Sequence, residues 1–150
     1  MNKFMELAYQ EALKGISMKH GGPFGAVIVK DGTVIAQGHN EVLLRNDPTA
    51  HAEIVAIRRA CEFLRTVDLR ECVLYTTSKP CPMCKGAIQW SRLQKVVYSG
   101  DYEDVRKLNF DDLYFFDTFN QEDAAWAKID HEHFSKLIDA FQDYKDDIRY

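Results

Sequence analysis

Two short segments of the chain carry residues whose types and spacing could do chemistry. They are Thr49-Ala50-His51-Ala52-Glu53 and Pro80-Cys81-Pro82-Met83-Cys84. His51, Cys81 and Cys84 are soft or borderline metal ligands. Structural zinc sites usually close with four protein ligands, whereas catalytic ones leave a position for water. No second C-x-x-C occurs to close this set. The set therefore predicts one catalytic Zn2+ per chain, an ion that makes water available as a nucleophile near pH ~7. Glu53 is then the natural proton shuttle, and so the catalytic residue.

Each half alone is weak. A lone C-x-x-C between a strand and a helix fits a thioredoxin-like redox pair equally well, and a redox protein is the rival from a different class. A lone H-x-E says almost nothing. Together they match the H-x-E…P-C-x-x-C signature of zinc deaminases.

The elements must bring these groups together. Both segments read as helix N-termini, where partial positive charge and free N–H groups favour thiolate. Residues two apart on a regular helix point ~200° apart. His51 and Glu53 can thus converge only near a helix end, and Asp47-Pro48-Thr49 is expected to start that helix, which runs to about Cys61. A first helix is predicted over about residues 2–19, from Phe4, Ala8, Ala12 and Ile16. Gly21-Gly22-Pro23 breaks the chain, Phe24 to Lys30 reads as a buried strand, and Asp31-Gly32 as a hairpin turn into Thr33–Gly38. Cys72–Thr77 is a third strand, Pro80-Cys81-Pro82 opens a helix to about Arg92, and Lys95–Ser99 is a fourth strand. Residues 102–109 suggest a short helix, and Leu113–Phe119 a strand or a packed loop. Phe134, Leu137, Ile138 and Phe141 mark the last helix. This order predicts an α/β fold, a three-layer α/β/α sandwich around a mixed five-stranded sheet.

With 150 residues, 46% of them hydrophobic, the chain suits a single domain over 1–150. Its net charge of −4 and lack of a basic stripe favour a small substrate over nucleic acid. No apolar run approaches the ~20 residues needed to cross a bilayer, and the first residues read as an amphipathic pattern, so that no signal peptide is expected. A cytoplasmic protein with reduced cysteines is expected. Cys61, Cys72 and Trp90 read as core, Arg58-Arg59 as a solvated helix face. His131 and His133, two apart on a helix, should point apart, and neither His20 nor His39 suggests a role.

The text Gly21-Gly22-Pro23-Phe24-Gly25-Ala26-Val27-Ile28-Val29, Asn40, Asn46-Asp47-Pro48-Thr49-Ala50-His51-Ala52-Glu53 and Pro80-Cys81-Pro82-Met83-Cys84-Lys85-Gly86-Ala87 closely resembles the cytidine-deaminase-like superfamily. Within it, the chain resembles the branch of guanine deaminases and tRNA adenosine deaminases. The resemblance covers about residues 4–100, while Phe110-Asp111-Asp112 and a terminal Tyr150 resemble guanine deaminases in particular. It implies a cytidine-deaminase-like fold, with zinc on His51, Cys81 and Cys84 and proton transfer by Glu53. It further implies a base-binding amide at Asn40, ring stacking by Phe24, backbone N–H donation near Ala52 and Cys81, and substrate contacts from Asp112 and Tyr150. The implied reaction is hydrolytic deamination of a free nucleobase, guanine to xanthine and ammonia. The alternatives are cytosine, a pterin or other purine, guanosine, and tRNA adenosine. A homodimer is implied too, in keeping with the apolar side chains of residues 110–119.

Overall fold

The computed structural model describes residues 2–110 and 131–142. Helix α1, Lys3–Ser17, is capped by Asn2, whose side chain accepts from Phe4 N and Met5 N, and it buries Met5, Ala8 and Ala12 on one face. Strands β1, Gly25–Lys30, and β2, Thr33–His39, form an antiparallel hairpin. Its turn has positive φ at Asp31 (49°) and Gly32 (74°), the backbone that matches strand twist in a two-residue loop. A short helix α2, Val42–Arg45, follows. Then come α3, Ala52–Leu64; β3, Cys72–Ser78; α4, Pro82–Trp90; β4, Lys95–Gly100; α5, Tyr102–Arg106; and α6, His131–Gln142.

The sheet order is β2-β1-β3-β4, with β1 antiparallel to β2 and β3, and β3 parallel to β4. The described residues thus form four strands and not five, and Leu113–Phe119 lies outside them. Both faces of β1 are covered, which is why its burial is nearly continuous. Ala26 and Ile28 pack with Ala52, Ala56 and Ala60 of α3, and with Leu74 and Ile88. Val27 and Val29 pack with Met5 and Ala8 of α1. The described part is therefore helix, sheet, helix, as expected.

Two local expectations need correction. The helix after Asp47 starts at Ala52, with His51 as its N-cap residue. Asp47 instead accepts hydrogen bonds from Thr49 N and Thr49 Oγ1 at 2.8 and 2.6 Å, closing a turn that absorbs Pro48. Trp90 ends α4 and is 70% exposed, not core. Cys61 and Cys72 do belong to the apolar cluster under α3. Leu137 and Ile138 of α6 stand exposed among the described residues.

Strand register decides where chemistry can occur. Gly25 at the start of β1 faces His39 at the end of β2, and Ala26 faces Thr76 near the end of β3. Ser78 is level with Gly100 at the end of β4. Phe24, Asn40, Lys79 and Tyr102 therefore leave the sheet at one edge, the carboxyl end of the parallel pair, where open α/β sheets hold their ligands.

Candidate active site

The two motif segments meet at that edge. His51 has extended backbone, φ −66° and ψ 158°, while Ala52 and Glu53 already belong to α3. That break frees His51 and Glu53 from helical spacing, so both turn to the same place. Cys81 caps α4 with Pro82 at its first turn, and the Cys81 thiol accepts from Cys84 N at 3.5 Å. His51 Nδ1 lies 3.6 Å from Cys81 Sγ and 3.6 Å from Cys84 Sγ. One donor atom from each of the three residues falls within a 4.8 Å span, and they are the group of metal-ligand type among the described residues.

The donor chemistry suits zinc, which takes thiolate and neutral imidazole. The Cys81 thiol is lowered to about 4, first by the hydrogen bond from Cys84, then, against the cost of burial, by that from His51. The Cys84 thiol is raised, because its proton is shared with Cys81 and because it is buried beside Glu53. The protein thus favours thiolate at Cys81, and a bound cation would favour it at both sulfurs.

Glu53 is 6% exposed, and burial raises its carboxyl above the usual carboxylate range. Thr76 Oγ1 donates to Glu53 Oε1 at 3.1 Å, while Glu53 Oε2 lies 3.5 Å from Cys84 Sγ. Glu53 therefore sits beside the Cys84 thiol with one oxygen turned to it. A cavity of about 40 Å³ opens here, walled by Phe24, His51, Glu53, Cys81 and, beyond the sequence reading, by Ser78, Lys79, Tyr102 and Val105. Tyr102 is held by donation of its hydroxyl to Pro80 O at 2.6 Å, and the Lys79 ammonium lies 4.8 Å from its ring centre.

Asn40 and Ala52 are buried at this edge, but neither walls the cavity. Asn40 Oδ1 accepts from Val42 N at 3.1 Å and lies against Gly21, where a Cβ would come within 2.0 Å of it. Glycine at 21 is what lets the amide sit there. Next to Asn40 runs a chain of polar groups that the sequence did not suggest. His20 Nδ1 is 2.8 Å from His39 Nε2, and His39 Nδ1 is 2.9 Å from Glu11 Oε2. Asp112 and Tyr150 lie outside the described residues.

A family model, the cytidine and deoxycytidylate deaminase zinc-binding region, matches residues 1–100. The chain belongs to this deaminase family. Guanine deaminase of Bacillus subtilis is 50% identical over 113 residues, which are 75% of this chain and 72% of the relative. The tRNA-specific adenosine deaminase of Aquifex aeolicus is 46% identical over 96 residues, 64% of this chain and 63% of the relative. The solved structure of the Bacillus subtilis guanine deaminase superposes with a TM-score of 0.90 at 40% identity, covering 100% of this deaminase and 99% of that chain. The redox reading of the C-x-x-C pair is thereby set aside, and the zinc-deaminase fold is supported.

Proposed function

We propose that the chain is a zinc-dependent guanine deaminase, one domain over residues 1–150, releasing xanthine and ammonia. The observation that carries this reading is the extent of the structural match. A solved structure of a tRNA:A34 deaminase covers 65% of this chain with a TM-score of 0.63, whereas the guanine deaminase structure covers 100% with a TM-score of 0.90. The net charge of −4 also gives little attraction for a phosphate backbone.

His51, Cys81 and Cys84 would hold the zinc, whose Lewis acidity makes water a nucleophile at neutral pH. Glu53 accepts a proton from the attacking water, then hands protons to a ring nitrogen and to the departing amine. Its desolvated carboxyl is suited to this, because burial disfavours the charged form and makes the carboxylate a stronger base than one in water. Phe24, on the cavity wall, offers its ring for stacking. Asn40 offers its amide N–H groups, since its Oδ1 is engaged by Val42 N. The Ala52 N–H, in the first turn of α3 and so without a partner within the helix, offers a further donor. Asp112 and Tyr150 supply acceptors for the N–H groups of guanine.

The protein acts in the cytoplasm as a homodimer. No described helix is long and apolar enough to cross a membrane. The exposed Leu137 and Ile138 of α6 offer apolar area to a second copy. Ammonia release measured across a panel of bases, nucleosides and a tRNA anticodon stem should single out guanine. Turnover of another member with guanine inert refutes the substrate. A fully active monomer in sedimentation at micromolar concentration refutes the dimer.

A further inference from the structure

Thr76 stands in the middle of the sheet, level with Ala26 of β1 on one side and Tyr98 of β4 on the other. A central strand favours a β-branched side chain, and valine would meet that preference as well as threonine. The hydroxyl needs its own reason. At 1% exposure it costs stability unless it is bonded. Its partner is the Glu53 carboxyl, through Oε1 at 3.1 Å. The other oxygen, Oε2, is the one turned towards Cys84 Sγ, 3.5 Å away.

We propose that Thr76 is a positioning residue that reserves Oε1 as an acceptor and so makes Oε2 the oxygen on which Glu53 carries every proton. This rests on the deaminase reading of Glu53. A hydroxyl has one proton to give, and both oxygens of a carboxylate only accept. While Thr76 Oγ1 donates to Oε1, a proton taken up by Glu53 falls on Oε2. In the reaction, Oε2 takes one proton from water as the water oxygen bonds to the amino-bearing carbon, and passes it to a ring nitrogen. It then takes the second proton of that water and passes it to the amine as the C–N bond breaks. Ammonia leaves, Glu53 is again a carboxylate, and the Thr76 proton has stayed on Oγ1. One oxygen both receives and delivers, so the carboxyl need not rotate between transfers.

The test compares zinc-loaded Thr76→Ser, Thr76→Cys and Thr76→Val, using whichever base the parent enzyme turns over. The Val variant should lower kcat by about 10–100-fold, the range for losing a hydrogen bond to a charged partner. Its KM should stay within about twofold and its zinc content at the parent's value. Ser should restore kcat to within about threefold, with Cys between, in order of donor strength. In the Glu53→Gln background, Thr76→Val should add little, because the two residues act as a unit. A Val variant with near-parental kcat, a Ser variant as slow as Val, or full additivity with Glu53→Gln each overturns the proposal. If Val does not fold, the Ser and Cys pair decides by the same ranking. If the parent turns over no base, the deaminase reading fails separately. The positioning claim is then read from the infrared carboxyl band of Glu53, isolated by subtracting Glu53→Gln. That band should shift in Thr76→Val, and an unmoved band overturns the proposal.

Discussion

Replacing Glu53 by glutamine removes a proton carrier while changing almost nothing else. The side chain keeps its shape, and an amide oxygen at the Oε1 position can still accept from Thr76 Oγ1, now 3.1 Å away. An NH2 group replaces Oε2 and cannot take a proton from water. Two protons per turnover pass through that atom, and general acid–base groups contribute ~10²–10⁴-fold. Because Glu53 is 6% exposed, bulk water has poor access to serve in its place. The loss should lie at the upper end, about 10⁴-fold in kcat, which is ~5.4 kcal/mol of barrier at ~1.36 kcal/mol per decade. Metal should be retained, since His51, Cys81 and Cys84 hold their donor atoms within 4.8 Å without Glu53. The assay is steady-state ammonia release beside zinc analysis of the same sample. A Glu53→Gln enzyme that keeps its zinc and turns over within tenfold of the parent would refute the role. One that loses its zinc would show that Glu53 helps hold the ion.

Cys81→Ala should lose most of the zinc, and with it turnover, as measured by metal stoichiometry after dialysis; a stoichiometric ion would exclude Cys81 as a ligand. The Glu41 carboxyl should make stability depend on pH. Burial raises its pKa, but the Arg45 hydrogen bond and the charges of Arg59 and Arg45 outweigh this and hold it low. A lowered carboxyl adds stability above its unfolded pKa and loses it as pH falls through the folded value. Melting temperature should thus drop below about pH 4. Glu41→Gln, which removes the charge 2.7 Å from the half-exposed Arg59, should cost about 1.5–3 kcal/mol at neutral pH and flatten that drop. A cost under ~1 kcal/mol in denaturant melts would contradict it. Asp112→Ala and deletion of Tyr150 should each leave zinc and folding intact and lower kcat/KM for guanine by ~10-fold or more. Unchanged kinetics in both would remove these residues from guanine recognition.

The metal set was legible because ligand type and C-x-x-C spacing are local, and Pro82 marks a helix start that the structure has. The same is true of β1 and its hairpin, where Asp31-Gly32 takes the left-handed backbone that those residues tolerate. The start of α3 was misplaced because Asp-Pro-Thr is as good a turn as it is a cap. The competing Asp47–Thr49 bonds win, and the helix waits for Ala52. The cavity wall was harder to see. Tyr102 reaches Pro80 O across 22 positions of sequence, and nothing in its neighbours announces that contact. Lys79 on that wall, and Thr76 behind Glu53, were hidden differently, because one looks like a solvated lysine before a proline and the other like an ordinary strand residue.

The row of Glu11, His39 and His20 is one-directional. A carboxylate can only accept, so His39 must turn an N–H from Nδ1 to Glu11 Oε2, 2.9 Å away. In a neutral His39 that choice leaves Nε2 bare. The 2.8 Å gap to His20 can then close only by an N–H from His20 Nδ1. The tautomer of a loop histidine is in this way dictated by a glutamate on α1, two residues removed along the row. The gap between the rings has room for one hydrogen. Substitution at any of the three is therefore a change of polarity for all of them. A side chain that only donates, or only accepts, in the middle position would leave a buried atom facing its own kind beside Asn40.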